Sequence, residues 1–432
     1  MRPLQNSLNL ALTVAFAAVS AAAVAPAFAQ TQQDTTNPYY FGANLGLTHV
    51  SNVFQQSNSK NSDDVLSANL LGGIDTRFGR EHLRLDGSVG VSRYRNNTPL
   101  NNVGYQGSAA LDWSTIERVS GTITAGASRQ LASYNISPYI GQVPDYVHNT
   151  LSSYYVDALT HVGLVTRWTL DADVSYRQYR YSAAQYAQLN YQQTAYSLGP
   201  SYQASPDLRI GVDWRHTNAT NPTYFPTYDP SALNPDGTPV IDSYRANHYS
   251  RNDLDLNIHW RVSGASSLDT RLSHGSYTHA DSSGQSASNF SGAATWSWAP
   301  TAKTNIVTSF IHDSGLSAYV FSNLPFAYNT NQSTVTNTLQ VNANYALTGK
   351  MALNATGVYA RTNRSNDVQL GNESAASGSH DNYYSLALGA TWQYSRGISM
   401  ACQVGHQVRT STIVNYGYDA DSIGCNAQIL FY

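Results

Sequence analysis

The chain has few charged residues and no long hydrophobic segment beyond its N-terminus. Lys, Arg, Asp and Glu make up 12% of its 432 residues, about half of the ~25% found in soluble globular domains. The mean hydropathy is −0.35, whereas a helical membrane protein needs apolar runs of about 20 residues. A disordered chain would be poor in aromatic residues, but this one has 31 tyrosines. The composition therefore excludes helical membrane proteins and disordered chains.

Basic residues are also too few to indicate a nucleic-acid partner. The chain has 24 Lys and Arg against 27 Asp and Glu, a net charge of −3, so it lacks the basic footprint of such proteins. Among the basic residues, 21 are Arg and only 3 are Lys. We expect no nucleic acid among the partners.

The first residues predict a secretory signal peptide. Arg2 supplies the positive charge, 8–24 the apolar core and Ala27-Phe28-Ala29 a small-x-small cleavage site. An uncleaved membrane anchor is the alternative, which the Ala-rich core and the cleavage site disfavour. We therefore predict a signal peptide at 1–29, a short periplasmic segment at 30–38 and the folded part at 39–432.

The rest of the chain alternates apolar and polar residues with a period of two, which is typical of β-strands. Leu254, Leu256, Ile258 and Trp260, for example, alternate with Asp253, Asp255, Asn257 and His259. Eighteen such segments are predicted as strands: 39–50, 64–76, 81–94, 103–114, 118–131, 149–162, 164–178, 190–203, 207–218, 245–261, 265–279, 287–299, 302–314, 332–346, 349–363, 379–394, 396–409 and 418–432.

The connections between these strands alternate in length. Short turns, as at 77–80 or 262–265, alternate with longer polar loops, of which 219–244 is the longest. Outer-membrane barrels have short periplasmic turns and long extracellular loops, whereas a soluble sandwich gives no reason for the asymmetry. The fold class predicted is all-β: a transmembrane antiparallel up-and-down β-barrel of about eighteen strands in the cell outer membrane. The 219–244 loop either constricts the lumen or shields the outer mouth.

Tryptophan and the C-terminus support the barrel. Six of the seven tryptophans lie beside predicted short turns, where they would form an aromatic girdle at the membrane interface: Trp113, Trp168, Trp260, Trp296, Trp298 and Trp392. The chain ends in an aromatic strand, Ile429-Leu430-Phe431-Tyr432, of the kind that the barrel-assembly machinery recognises. Lipid bilayer and assembly machinery are therefore expected partners.

Charged residues recur on the polar phase, which would face the lumen. They are Arg84, Asp86, Arg167, Asp171, Asp173, Arg209, Asp213, Arg215, Arg251, Asp253, Asp255, Asp269 and Arg271. Arg presents a five-donor planar fork to carboxylates and sugar hydroxyls, so together these residues form a candidate path for a hydrated polysaccharide. Opposite charges on neighbouring strands also stabilise sheets, and bracing of the wall is the alternative for each pair.

Both cysteines fall in the last predicted hairpin, on its apolar phase. If the hairpin tip lies at Ile413–Val414, Cys402 and Cys425 are directly opposite each other. Side chains of such a pair lie within reach of a disulfide, which the oxidising periplasm permits. The alternative is two lipid-facing thiols.

The sequence contains no pattern typical of an enzyme, a cofactor site or a metal site. Gly-x-Ser-x-Gly, a phosphate loop, His-Glu-x-x-His and Cys/His metal spacings are all absent. The run His312-Asp313-Ser314-Gly315 is similar to the His and Ser pairing of a barrel lipase. Neighbouring residues on a strand point to opposite faces, however, which disfavours such a site. We expect no catalytic residues, no cofactor and no metal.

Several segments resemble one family. They are 79–97 (GREHLRLDGSVGVSRYRNN), 107–113 (GSAALDW), 127–135 (ASRQLASYN), 266–275 (SSLDTRLSHG), 296–303 (WSWAPTAK) and 424–428 (GCNAQ). Together they resemble the exosortase-B-associated exopolysaccharide biosynthesis transporter family (EpsL), over nearly all of the chain after the signal. The resemblance implies an outer-membrane component of exopolysaccharide production and export, with an extracellular polysaccharide and inner-membrane synthesis or export proteins as partners. It supplies no site residues.

The sequence thus predicts an outer-membrane β-barrel channel in exopolysaccharide biosynthesis or export. A porin for small solutes and a structural or adhesive barrel are the alternatives. The polymer and the oligomeric state are not predicted.

Overall fold

The computed structural model is one closed antiparallel barrel of 18 strands. It describes residues 37–115, 118–132, 147–163, 167–233, 239–279, 286–314, 334–370 and 373–432. Each strand pairs with the next along the chain, and the first pairs with the last from Phe41↔Phe431 to Val50↔Ser422. The predicted all-β barrel of eighteen strands is therefore confirmed, whereas the predicted signal peptide lies outside the described residues.

The strands have the following bounds: β1 Tyr39–Val50, β2 Asp63–Phe78, β3 Glu81–Tyr94, β4 Asn102–Ser114, β5 Val119–Leu131, β6 Thr150–Gly163, β7 Trp168–Tyr181, β8 Tyr191–Ser205, β9 Leu208–Leu233, β10 Pro239–Ser263, β11 Ser266–His279, β12 Ser286–Thr301, β13 Thr304–Ser314, β14 Thr334–Ala346, β15 Met351–Leu370, β16 Glu373–Ser395, β17 Ile398–Ser411 and β18 Tyr418–Phe431. Two 3₁₀ helices, Thr98–Leu100 and Ala184–Leu189, lie in outer connections. Neither is long and apolar enough to span a membrane, nor is any other helix in the ranges described.

Three predicted connections differ from the structure. The predicted loop 364–378 is mostly paired strand, because β15 runs to Leu370 and β16 begins at Glu373. The segment 219–244 is not a loop over most of its length, because β9 continues to Leu233 and β10 begins at Pro239, with Pro226 opposite Tyr244 in the register. It is a long two-stranded ribbon, so neither the constricting nor the shielding loop describes this backbone. The predicted break between the strands 149–162 and 164–178 is also too early, since β6 runs to Gly163 and β7 starts at Trp168.

Alternation along the strands sorts the side chains onto two surfaces. In β10, Leu254 is 58% exposed whereas its neighbours Asp253 and Asp255 are each 2% exposed. The same order recurs in β1, where Leu45 and Leu47 are exposed and Asn44 is buried. In a closed barrel the exposed apolar set must be the outer surface. Such a surface suits a bilayer, since large contiguous apolar patches are rare on soluble monomers.

Aromatic rings mark one rim of this outer surface. The six tryptophans predicted as a girdle occupy outward positions near the short turns, and Trp296 stacks on Trp298 with ring centroids 5.4 Å apart. Across the barrel closure, Phe41 stacks on Phe431 at 5.1 Å. The seventh tryptophan, Trp214, lies further along its strand. The short-turn rim therefore has the composition of a membrane-interface girdle.

The two cysteines form a disulfide on the outer surface. Cys402 in β17 is directly opposite Cys425 in β18, with the Cα atoms 4.0 Å apart and the sulfurs bonded. The bond links two residues separated by 23 positions in the sequence. It therefore fixes the register of the hairpin whose second strand closes the barrel on β1.

We expect the Cys402→Ala/Cys425→Ala double variant to lose about 3 kcal/mol of unfolding free energy, the value for cross-linking a loop of roughly this length. The measurement is equilibrium urea unfolding of the refolded barrel, followed by the gel-mobility difference between folded and unfolded forms. Reductant should destabilise the natural protein to the same extent and leave the variant unchanged. A natural protein that is insensitive to reductant would contradict the prediction.

Candidate functional site

The candidate site is the inner surface of the barrel. Of the thirteen charged residues predicted to face the lumen, twelve occupy inward positions on β3, β7, β9, β10 and β11. Arg167 does not, because it precedes β7 in the short turn, where its guanidinium donates to the Ala204 carbonyl at 3.4 Å. Its prediction as a residue of the lumen wall is wrong, because it lies in a turn at the short-turn rim.

Five of these residues form an arginine–aspartate cluster on β9, β10 and β11: Arg215, Arg251, Asp253, Asp255 and Arg271. Arg215 Nε lies 2.7 Å from Asp255 Oδ2, and Arg251 Nε lies 2.7 Å from Asp253 Oδ1. Arg215 Nη2 is also 3.3 Å from Asp253 Oδ2, so Asp253 serves two arginines. Arg271 interacts electrostatically with both aspartates of the cluster.

Four of the five residues are almost completely buried although they point into the barrel. The side chains of Asp253 and Arg251 are 0% and 1% exposed, and those of Asp255 and Arg215 are 3% and 5% exposed. Hydroxyl groups complete the shell, since Arg251 donates to Ser291 and Arg215 to Ser273. These four charges pair within the wall and are not offered to a solute, whereas Arg271 is half-buried. Their geometry therefore favours the bracing alternative over a polymer contact.

A second set of charges lies nearer the short turns. Arg209 of β9 donates to Asp171 of β7 at 2.7 Å, and His161 of β6 contacts the same carboxylate at 2.7 Å. His259 likewise contacts Asp269 at 2.6 Å. Asp213 accepts from the Asn257 amide, and Asp173 faces Arg177, Arg215 and Arg271. These groups are half-buried or more exposed, and they are paired across strands.

The remaining two predicted residues stand apart on β3. Arg84 donates to Asp112 of β4 at 2.9 Å, and Asp86 accepts from the Tyr40 hydroxyl at 2.6 Å. Asp86 is exposed. The predicted charges are therefore not one continuous path, because β3 is separated from the β7–β11 group by β4, β5 and β6.

The opposite wall has no charge over most of its height. We call it the amide wall: the inward positions of six neighbouring strands, β14 to β18 and β1. Arg364, Asp381 and Arg409 stand at its outer end, where Arg364 lies 2.5 Å from Asp381. Below them every inward position of these strands is Asn, Gln, Ser, Thr, Tyr or a small or aliphatic residue.

One lateral row shows how this wall is shaped. It runs Asn344, Asn354, Gly389, Gln403, Gly424 and Thr48 from β14 to β1. The Asn354 side chain lies over Gly389, where an added Cβ would come within 2.6 Å of its Oδ1 atom. Glycine thus gives the neighbouring Asn354 side chain room to lie against the wall. The row presents amide and hydroxyl donors and acceptors with no fixed charge.

Tyrosines surround the outer mouth. Tyr181 of β7 packs against Tyr186 of the second 3₁₀ helix at 6.1 Å, and Tyr191 against Tyr249 at 6.4 Å. From the other side of the barrel, Tyr416 lies under Arg409 with the guanidinium carbon 4.9 Å from the ring. Aromatic rings therefore pack at the outer end of the barrel on both of these sides.

The predicted site omitted the amide wall and the tyrosine mouth, and also the charge partners Asp112, Asp157, Arg177 and His161. A signal for all of them existed, since they share the polar phase with the predicted charges. The predicted path contained only charged residues, so it left out the uncharged polar ones. In the ranges that the structure describes, no group of three or more His, Cys, Asp or Glu is placed to hold a metal ion.

An even-stranded closed barrel with an apolar outer surface, an aromatic rim and a polar interior is an outer-membrane β-barrel. No protein-family model matches the chain, and no curated protein is detectably similar. Solved structures are similar in fold at low identity.

OccK1 (OpdK) of Pseudomonas aeruginosa is 13% identical, with 91% of this chain and 99% of that chain covered and a TM-score of 0.46. OccAB4 of Acinetobacter baumannii is 11% identical, with 92% and 100% covered and a TM-score of 0.45. The copper transporter OprC is 13% identical with a TM-score of 0.42, and 88% of this chain spans 62% of its length. These likenesses concern the fold alone.

We expect Asp253→Asn to lower the free energy of unfolding by about 3 kcal/mol, because it removes the buried carboxylate that Arg251 and Arg215 share. Urea unfolding of the refolded barrel measures the change. Asp86→Asn is the matched control: its carboxylate is exposed, accepts from a neutral tyrosine, and should cost less than about 1 kcal/mol. Equal losses in the two variants would contradict the buried network.

Proposed function

We propose that this barrel is an outer-membrane channel through which an exopolysaccharide leaves the cell. The observation that carries the proposal is the amide wall, a six-strand surface of uncharged donors and acceptors beside a wall whose central charges are paired and buried. A sugar polymer is rich in hydroxyl groups. It can slide along such a surface by exchanging hydrogen bonds that are each worth only about 1 kcal/mol.

Two further features support a polymer rather than a small ion. A barrel of 16 to 18 strands is wide enough for an aqueous channel. The resemblance to the EpsL family points to the same polymer class.

The alternative is a porin for small solutes. Conductance across a planar bilayer, measured with and without the polymer, distinguishes the two functions. We expect the refolded protein to give a stable conductance that the producing cell's own polysaccharide blocks and neutral dextran of equal length does not. Conductance that is indifferent to the polymer would support a porin. A folded barrel without conductance would contradict an open channel and support a structural or adhesive barrel.

Variants of the amide wall test whether the polymer uses it. In the Asn342→Leu/Asn354→Leu/Gln403→Leu protein, we expect the polymer to leave about ten times faster, because each of the three lost hydrogen bonds contributes about 0.5 kcal/mol. Current fluctuations during block measure the residence time. Gln106→Leu is the matched control, an exposed inward amide of β4 outside the amide wall, and should leave it unchanged. The idea fails if both variants behave alike.

A further inference from the structure

The outer surface of strands β3 to β7 changes composition from one end to the other. Near the short turns it carries Trp113 and Trp168. Its middle is aliphatic, with Ile123, Val156 and Val174 each more than 40% exposed. Above these come tyrosines, and at the outer ends of β3, β5 and β7 it carries arginines. The order matches a bilayer crossed from inner interface to outer headgroups.

The three arginines of this surface, Arg93, Arg129 and Arg180, are exposed and face outward. We call them the arginine face. Arg129 is opposite Ser152 of β6, and Ser152 is opposite Arg180 of β7. Because neighbouring strands are about 4.8 Å apart, the backbones of the two arginines are about 10 Å apart. Their side chains stand on one lateral row of the barrel surface.

Tyrosines lie beside and just below this row. Tyr105 of β4 is directly opposite Arg129, and its hydroxyl lies 3.1 Å from the hydroxyl of Tyr154 of β6. Tyrosine is enriched at the level of lipid headgroups, where its ring meets acyl chains and its hydroxyl meets water. The arginines therefore stand at headgroup level on the long-loop, outer side of the membrane.

No carboxylate in the described ranges forms an ion pair with any of the three arginines. The one acidic residue at an outward position of β3 to β7 is Glu81, at the opposite end of its strand. The adjoining sector differs: Arg95 lies 3.2 Å from Asp64, His49 lies 2.8 Å from Asp64, and Lys60 lies 2.5 Å from Asp419. Positive charge is thus left uncompensated only on the arginine face within this outer region of β18 and β1 to β7.

We propose that the arginine face binds the phosphate groups of an outer-leaflet lipid, specifically a bisphosphorylated glycolipid of the lipid A type. Three unpaired guanidinium groups at headgroup level match anionic phosphates in charge, and a guanidinium holds a phosphate with two parallel hydrogen bonds. Three guanidinium groups on one face can hold more than one phosphate, as a bisphosphorylated headgroup offers. The adjoining sector, where Arg95 and Lys60 are paired with aspartates, has no such surplus of positive charge.

The test titrates the refolded full chain in detergent with bisphosphoryl lipid A and reads bound lipid by native mass spectrometry. We expect Arg129→Gln and Arg180→Gln each to weaken binding about fivefold, and the double variant about 25-fold, from the contribution of one basic residue near a charged membrane surface. Arg95→Gln is the matched control: an outer, exposed arginine already paired with Asp64, for which we expect less than a twofold change.

Three results would overturn the proposal: equal losses for Arg95→Gln and Arg129→Gln, equal affinity of the natural protein for bisphosphoryl and phosphate-free lipid A, or binding that is insensitive to salt. Monophosphoryl lipid A should bind more weakly than the bisphosphoryl form. Gel mobility checks that each variant folds, and the salt series on the natural protein stands even where a variant does not. Bilayer conductance is read separately, so failure here leaves the channel proposal untouched.

Discussion

Backbone hydrogen bonding is the constraint on which the whole structure depends. In hydrocarbon no water satisfies a free N–H or C=O group, so a sheet that crosses a membrane must have no edge. The pairing of β1 with β18 removes the last one, over ten consecutive residue pairs from Phe41↔Phe431 to Val50↔Ser422. The disulfide in the β17–β18 hairpin acts on the same seam, because it holds the register of the strand that β1 must meet. Without this closure the alternation of side chains would have no inside and outside to separate.

Closure turns a period of two into two chemically different surfaces, and this is why the sequence predicts the fold so well. Eighteen alternating segments and the unequal connections suffice, since each strand must follow the same rule. The exceptions are 219–244 and 364–378. The polar residues of both segments, with the prolines of the first, are typical of a loop, yet β9 remains paired with β10 and β15 with β16 there. Beyond the apolar belt no lipid selects alternation, and backbone pairing of an antiparallel ribbon continues without a sequence signal.

The sequence predicts which side chains face the lumen, but not which of them pair with each other. Arg251 and Asp253, two residues apart, must share a face, and their contact follows from that alone. The contact of Arg215 with Asp255 depends on the register of β9 against β10, which the sequence does not state. Burial is less accessible still: nothing in the alternation distinguishes Asp253, which is buried, from Asp86, which is exposed. The amide wall could not be predicted for a different reason, since its neutral side chains form one row only through the register of six strands.

The two walls of the lumen solve one electrostatic problem in different ways. A channel for a long polymer has to avoid tight binding anywhere along its length, because contacts made by successive sugars add up. A charged group in a partly dehydrated lumen makes charge-assisted hydrogen bonds about twice as strong as neutral ones. On β9 to β11 the charges are satisfied internally and withdrawn from the surface. On β14 to β1, below the three charged residues at the outer end, they are left out, and amides beside glycines take their place. Outside the barrel the opposite holds: on the arginine face, charge is left unpaired where phosphate is at hand.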